Sequence, residues 1–218
     1  MEAYYKVQDR EAAGILLANR IALLNFDNAV VVGIPHGGVK VGAAVAQQLN
    51  LPMEIVMCRK LTHPAKHSVN IGSVSSGEIF LHDCPRSIPN DYLDFQTRRL
   101  RKEIETEREF YYGRNPEINF EYKTVILVDD VLATPDTLLA CIKEIRKQLP
   151  LKLIVAIPLV QAEAARIIRS ESDELVFLRM QQFIGSPLDY FNEFPVVEQH
   201  DVKDLLRKLK GELVPINK

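Results

Sequence analysis

Short apolar runs, each followed by a turn and then a helical pattern, constrain the fold of this chain more than any other feature. Ala29 to Ile34 reads AVVVGI, Glu54 to Cys58 ends at Arg59-Lys60, and Thr124 to Val128 reads TVILV. Leu153 to Pro158 and Leu175 to Leu178 complete the set. Runs this short, rich in Val, Ile and Leu and without polar alternation, suit strands covered on both faces. Helical patterns at Val39 to Leu49, Leu138 to Gln148 and Gln161 to Ser170 supply the covers. The order argues for an α/β fold, a doubly wound parallel sheet forming a single domain over residues 1–218.

Two further helices flank this core, Asp9 to Leu24 and a long one from Asn90 to Tyr112 that Gly113 closes. The long helix has a narrow apolar stripe of Leu93, Leu100, Ile104 and Tyr111. Its cluster Arg98-Arg99-Leu100-Arg101-Lys102, interleaved with Glu103, Glu105, Glu107 and Glu109, reads as a solvated face. Residues 61–82 are polar with scattered Gly, Ser and His and read as a flexible loop or hairpin. The stretch from Phe183 onward, richer in Pro and aromatics, reads as a small cap.

With 218 residues, 47% of them hydrophobic, the chain can bury a full core. A formal charge of -2 provides no basic field for a nucleic-acid polymer. Cys58, Cys84 and Cys141 have no paired spacing and read as packing residues, which suits a reducing cytoplasm. No stretch approaches the roughly 18 apolar residues of a spanning helix, so no membrane partner is expected.

In an open parallel sheet, ligands bind beyond the carboxyl ends of the strands. Pro35-His36-Gly37-Gly38, Arg59-Lys60 and the segment Asp129 to Thr137 all follow expected strands and would share that edge. Asp129 and Asp130 point to opposite faces, so one can meet sugar hydroxyls while the other holds a magnesium water or a backbone amide. In Ala133-Thr134-Pro135-Asp136-Thr137, backbone N–H groups and two hydroxyls at a helix start can surround a terminal phosphate. Pro135 removes one donor there and Asp136 adds a negative charge. Gly37 and Gly38 allow close backbone approach to a pyrophosphate. Arg59 and Lys60 offer a fork and a point charge. His63, Lys66 and His67 are either surface residues or lid contacts, and His82 and His200 have no ligand spacing. Each turn also has a plain structural reading as a capped helix start or an ordinary strand–helix connection.

The strand, paired acids and Thr-containing turn resemble the PRPP-binding motif of the type I phosphoribosyltransferases. The chain is similar over nearly its whole length to a bacterial group of that superfamily. The supporting segments are VVVGIPHGGVKVGAAVA, CRKLTHPAKHSVNIGSVSSG, KTVILVDDVLATPDTLLACIKEIR and LIVAIPLV. The resemblance implies a doubly wound core with a small hood and a magnesium-dependent displacement at the anomeric carbon of PRPP, with a homodimer as a family expectation. It assigns Asp129 and Asp130 to the ribose hydroxyls and Mg, and Ala133, Thr134, Pro135, Asp136 and Thr137 to the 5-phosphate. It assigns His36, Gly37, Gly38, Arg59 and Lys60 to the pyrophosphate, with Asp129, Asp130, Arg59 and Lys60 as the catalytic set and residues 61–78 as the lid.

The chain departs from the group's usual pattern. His36 stands for Arg, Val131 and Pro135 for Gly, Asp136 for a small residue, and His67-Ser68 for Pro-Glu. The leading expectation is a protein that binds PRPP or a nucleoside monophosphate with Mg and transfers the phosphoribosyl group to or from a nitrogenous base. A catalytically degenerate nucleotide sensor or regulator on the same fold is the alternative. A hydrolase using Asp129 as nucleophile would want an acid at the position of Val131. For the base, Phe183, Tyr190 and Phe191 are either stacking partners or core and dimer contacts.

Overall fold

A computed structural model describes residues 6–81, 88–113 and 119–212. His82, Cys84, the side chain of His67 and the chain beyond residue 212 lie outside the described residues. Along the chain come α1 (Arg10–Ile21), β1 (Ala29–Gly33), α2 (Gly37–Leu49), β2 (Met53–Ile55), β3 (Cys58–His63), β4 (Lys66–Ser75) and β5 (Ile79–Leu81). These are followed by α3 (Asn90–Tyr112), β6 (Thr124–Val128), β7 (Val131–Leu132), α4 (Asp136–Lys147), β8 (Lys152–Gln161), α5 (Ala162–Glu171), β9 (Glu174–Gln181) and α6 (Gln199–Glu212).

The central sheet runs β2, β1, β6 with β7, β8, β9, and every pairing is parallel. Successive residues of each strand feed opposite faces, as the pleat requires. Val31, Ile126, Val128, Ile154 and Ala156 pack with α1, α2, α3 and α6. Val30, Val32, Val125, Leu127, Leu153 and Val155 pack with α4 and α5. That is the doubly wound arrangement the apolar runs imply. Gly113 closes α3 at φ 64°, its N–H donating to the Glu109 carbonyl at 2.8 Å.

The expected second strand, Glu54 to Cys58, divides. β2 stops at Ile55, and β3 starts at Cys58 in a separate antiparallel sheet of order β3-β4-β5. Val56, Met57 and Cys58 are all buried, so the apolar run continues through the bend and its pattern cannot mark the break. Arg59 and Lys60 therefore stand on the hood sheet and not at the end of a core strand. Residues 61–78 form a hairpin with its own small core of Leu61, Ile71, Val74, Ile88 and Leu100. Its far end is tied to α4: Ser75 Oγ, Ser76 Oγ and the Gly77 N–H donate to the Glu144 carboxylate, and Lys147 pairs with Glu78.

Cys58 and Cys141 meet between the hood and α4 as buried free thiols, their Sγ atoms 2.6 Å apart. Burial first, and the neighbouring Cys58 second, push the Cys141 thiol well above its ordinary range. Both act as packing residues, and their contact is invisible in the spacing. Beyond β9, Tyr190 and Phe191 are buried with Val7 and Ala13, so these two aromatics belong to the core, while Phe183 is exposed. Within the segment expected as a small cap, α6 lays Val202, Leu206 and Leu209 on the first core. Among the described residues, no helix is long and apolar enough to cross a membrane.

Phe191 is fully buried, with rings of Tyr190 and Phe194 at 4.7 and 4.9 Å. Phe191→Ala is expected to cost about 3–5 kcal/mol of unfolding free energy, read from urea denaturation at constant m-value. A loss below about 1 kcal/mol would mean that the C-terminal segment is not part of the cooperative core.

Candidate functional site

At the carboxyl edge of the sheet, the Ile34 N–H donates to the Val128 carbonyl at 3.0 Å and the chain turns through Pro35 and His36 into α2. The Pro35–His36 peptide is cis. This turn lies directly on the paired acids. A Cβ on Gly37 would fall 1.9 Å from Asp130 Oδ2, and one on Gly38 would fall 2.7 Å from the Val128 carbonyl oxygen and 2.9 Å from Asp129 Cα. The two glycines are required by that close approach.

β6 and β7 form one strand line opened at Asp129-Asp130: Val128 pairs with Ala156 and Val131 with Leu159 in unbroken register. By that register Pro158, which has no N–H to donate, stands opposite Asp130. Asp129 and Asp130 lie beyond the last residue of β6, and both present an oxygen to the glycine turn: a Gly37 Cβ would fall 1.9 Å from Asp130 Oδ2 and a Gly38 Cβ 3.0 Å from Asp129 Oδ1. The opposite-face expectation assumes a regular pleat, which β6 leaves at Val128.

From α1, Arg10 Nε donates to Asp130 Oδ2 at 2.8 Å, and Arg10 Nη1 donates to the Pro195 carbonyl at 2.6 Å. The guanidinium lies 3.5 Å from the Phe194 ring centroid. Arg10 is 6% exposed. Sequence reasoning missed it, although it precedes Ala13, Gly14 and Leu17 on the same buried stripe of α1. Asp129 Oδ1 accepts the Asp130 N–H at 2.9 Å. Burial, then the charge of Asp130, push the Asp129 carboxyl well above the usual carboxylate range.

α4 starts at Asp136 with Pro135 in the capping position, and Ala133 and Thr134 are exposed beside it. The Asp136 side chain turns to the hood, where Oδ2 accepts from Asn70 Nδ2 at 2.7 Å. The Asp136 carbonyl accepts from Ser73 Oγ at 2.8 Å. Ser73 is the cross-strand partner of Lys60, so the exposed Lys60 shares the hood face that meets this turn. Arg59, its neighbour, faces the other way. The structure separates the pair: Lys60 lies on the side of the Thr-Pro-Asp-Thr turn and Arg59 on the side of α3.

There Arg59 Nη2 bonds Glu107 Oε2, Tyr111 Oη donates to Glu107 Oε1 at 2.7 Å, and His36 Nε2 lies 3.5 Å from the same Oε1. Glu107 is 5% exposed, which overturns its reading as part of a solvated face. Its signal was positional: with Thr97, Leu100, Ile104 and Tyr111 it completes the buried stripe of α3. At the hairpin tip, His63 Nδ1 accepts the Ala65 N–H at 3.1 Å, and Lys66 is exposed. His200 stands apart on α6 beside Asp201, at 3.4 Å. Among the described residues no group of three or more His, Cys, Asp or Glu side chains could hold a metal by itself.

The phosphoribosyl transferase domain family model matches residues 2–191. Rv0571c of Mycobacterium tuberculosis, whose name proposes a phosphoribosyl transferase, is 29% identical over 175 residues. That alignment covers 78% of this chain and 39% of the relative, so the chain spans well under half the length of the curated protein it matches. The solved structure of TT1426 from Thermus thermophilus superposes with a TM-score of 0.82 at 29% identity, covering 94% of this chain and 99% of that one. A purine phosphoribosyltransferase from Pyrococcus horikoshii shares the fold, with a TM-score of 0.50 at 18% identity over 87% of this chain and 92% of its own.

Two outcomes follow from the acid pair. Arg10→Met strands the Asp130 charge and is expected to lose about 3–5 kcal/mol, whereas adding Asp130→Asn to that variant restores much of the loss in a double-mutant cycle read by denaturation. Additive losses would deny the coupling. Because the folded chain raises the Asp129 pKa, its contribution is complete below the ordinary carboxylate value and is lost as pH rises through the raised one. Asp129→Asn should therefore raise Tm toward neutral and alkaline pH, with the gain shrinking in acid; a gain equal at all pH values would refute the assignment.

Proposed function

The chain belongs to the phosphoribosyl transferase domain family, and we propose that it binds PRPP or a nucleoside monophosphate with magnesium and transfers the phosphoribosyl group to or from a nitrogenous base. One observation carries this reading: the glycine turn after β1 rests directly on the acid pair after β6, on the sheet edge where an α/β fold takes its ligands. In the proposed reaction the bond from the anomeric carbon to the pyrophosphate oxygen breaks, with its electron pair leaving on pyrophosphate. A bond to the base nitrogen forms, and the base loses its proton.

The N–H groups of the turn Ala133 to Thr137 would hold the 5-phosphate, with Lys60 adding charge from the hood. His36, Gly37, Gly38 and Arg59 would hold the pyrophosphate. Asp136 is held off the turn by Asn70, which reduces the cost of an acid at that position.

For magnesium, Asp129 suits the ion best. It is a carboxyl whose charge burial and Asp130 disfavour, so a divalent cation beside it would relieve both. Asp130 already gives Oδ2 to Arg10 and would act by fixing the backbone and the charge balance around Asp129. Mg commonly takes one or two carboxylates and completes its shell with water and substrate phosphates. When bound, it would stabilise negative charge on the departing pyrophosphate.

A second reading, a nucleotide-binding regulator without turnover, is favoured by the engagement of Arg59 with Glu107. Calorimetry with PRPP and Mg tests the shared core of both. The expectation is saturable heat that Asp129→Asn weakens by about tenfold or more, the size of one lost charge-assisted contact. A folded protein giving no heat at millimolar PRPP would sink both readings. Pyrophosphate release across a panel of bases then separates them, since a transferase releases it with at least one base and a regulator with none.

A further inference from the structure

Glu107 is placed where Arg59 and His36, two side chains assigned to the proposed pyrophosphate site, converge. Both its carboxylate oxygens are occupied, Oε2 by Arg59 of the hood strand and Oε1 by the Tyr111 hydroxyl, and His36 Nε2 of the glycine turn lies 3.5 Å from Oε1, buried and without a hydrogen bond of its own. Arg59 has its remaining Nη1 on the Cys58 carbonyl at 3.1 Å. The fork assigned to a pyrophosphate is therefore already filled by an internal anion. The carboxylate itself is nearly excluded from water, yet the Arg59 side chain is 30% exposed. Arg59 can be reached from outside while its partner cannot. Access is through an open cleft of about 580 Å³ between α3 and β3, lined by Arg59, Arg99, Lys102, Thr106, Glu107 and Phe110.

We propose that Glu107 is an internal counter-ion that holds Arg59 beside His36 in the free protein and gives it up, in whole or in part, to the pyrophosphate group of an incoming ligand. The inference rests on the pyrophosphate placement given above and adds a control to it. A desolvated carboxylate paired with an arginine is held by a charge-assisted hydrogen bond. A diphosphate presents several such acceptors, and Lys102 on the cleft wall adds to its attraction, while Arg99 there is paired with Glu103 at 3.6 Å. Tyr111 supplies the restraint: its hydroxyl keeps Glu107 hydrogen-bonded after Arg59 leaves, so the exchange does not strand a buried charge without a donor. The exchange makes anion binding weaker than Arg59 alone would allow, and it couples the hood strand and α3 to occupancy of the site. Glu107 is thus a positioning residue and touches no reacting atom.

Glu107→Gln keeps the shape and one acceptor oxygen for Arg59, with its amide N–H able to donate to the Tyr111 hydroxyl, while removing the charge. Titration of inorganic pyrophosphate with Mg into wild type, Glu107→Gln and Arg59→Ala separates the cases. The proposal expects Glu107→Gln to bind at least about tenfold more tightly than wild type, the worth of one charge-assisted contact released. It expects Arg59→Ala to bind more weakly. Glu107→Gln binding unchanged or more weakly, with Arg59→Ala weakened, overturns the counter-ion role and leaves the pyrophosphate placement standing. Binding that Arg59→Ala leaves unchanged, or no binding by either wild type or Glu107→Gln, overturns the placement and the role with it. If Glu107→Gln does not fold, wild-type protein labelled in the arginine guanidinium answers by NMR. The resonance that Arg59→Lys removes should shift as pyrophosphate is added, and a resonance that stays fixed at saturation overturns the exchange.

Discussion

A carboxylate withdrawn from water must find a cation or give up its charge, and at the carboxyl edge of this sheet Asp130 finds Arg10. The pair sets the geometry of everything near it. Arg10 brings the start of α1 over the sheet edge, and its other guanidinium nitrogen and its flat face draw in the Pro195 carbonyl and the Phe194 ring. The chain after β1 must pass over the same carboxylate, and only Gly37 leaves room for it. The first helix, the glycine turn and the segment after β9 are thereby fastened to one side chain. Asp129, one residue away, has its own charge disfavoured by desolvation and by the charge of Asp130.

The same requirement recurs at Glu107, where Arg59, Tyr111 and His36 surround a carboxylate on an otherwise apolar stripe. It recurs in milder form at Asp136, whose charge is turned toward Asn70 of the hood. The hood is consequently joined to the core by polar contacts that include Arg59 to α3, Asn70 and Ser73 to the start of α4, and the Ser75–Gly77 segment to Glu144 further along α4. These contacts put the two halves of the Arg59-Lys60 pair on different sides of the hood strand. Two cations adjacent in sequence then face two different elements, the start of α4 and α3.

The strands at Ala29, Thr124 and Leu153 were legible because continuous Val, Ile and Leu runs have few alternatives to two-sided burial. The break between β2 and β3 was not, since Val56 and Met57 are as buried in the bend as they would be in a strand. α6 escaped because its apolar residues Val202, Leu206 and Leu209 are sparse among charges, and helix existence there depends on the core it meets. Arg10 and Glu107 were hidden by residue type. Charged residues on a helix are usually read as solvated, and only their place on the buried periodicity marks them as structural.

Local periodicity and chain order were enough to dictate the parallel sheet, its two-sided cover, and which turns stand together at the carboxyl edge. Family membership followed from the same segments. Which charges would neutralise which was settled in three dimensions alone. Arg10 lies far from Asp130 along the chain and Arg59 far from Glu107, and no local pattern encodes a pairing whose energy exists only once both groups have lost their water.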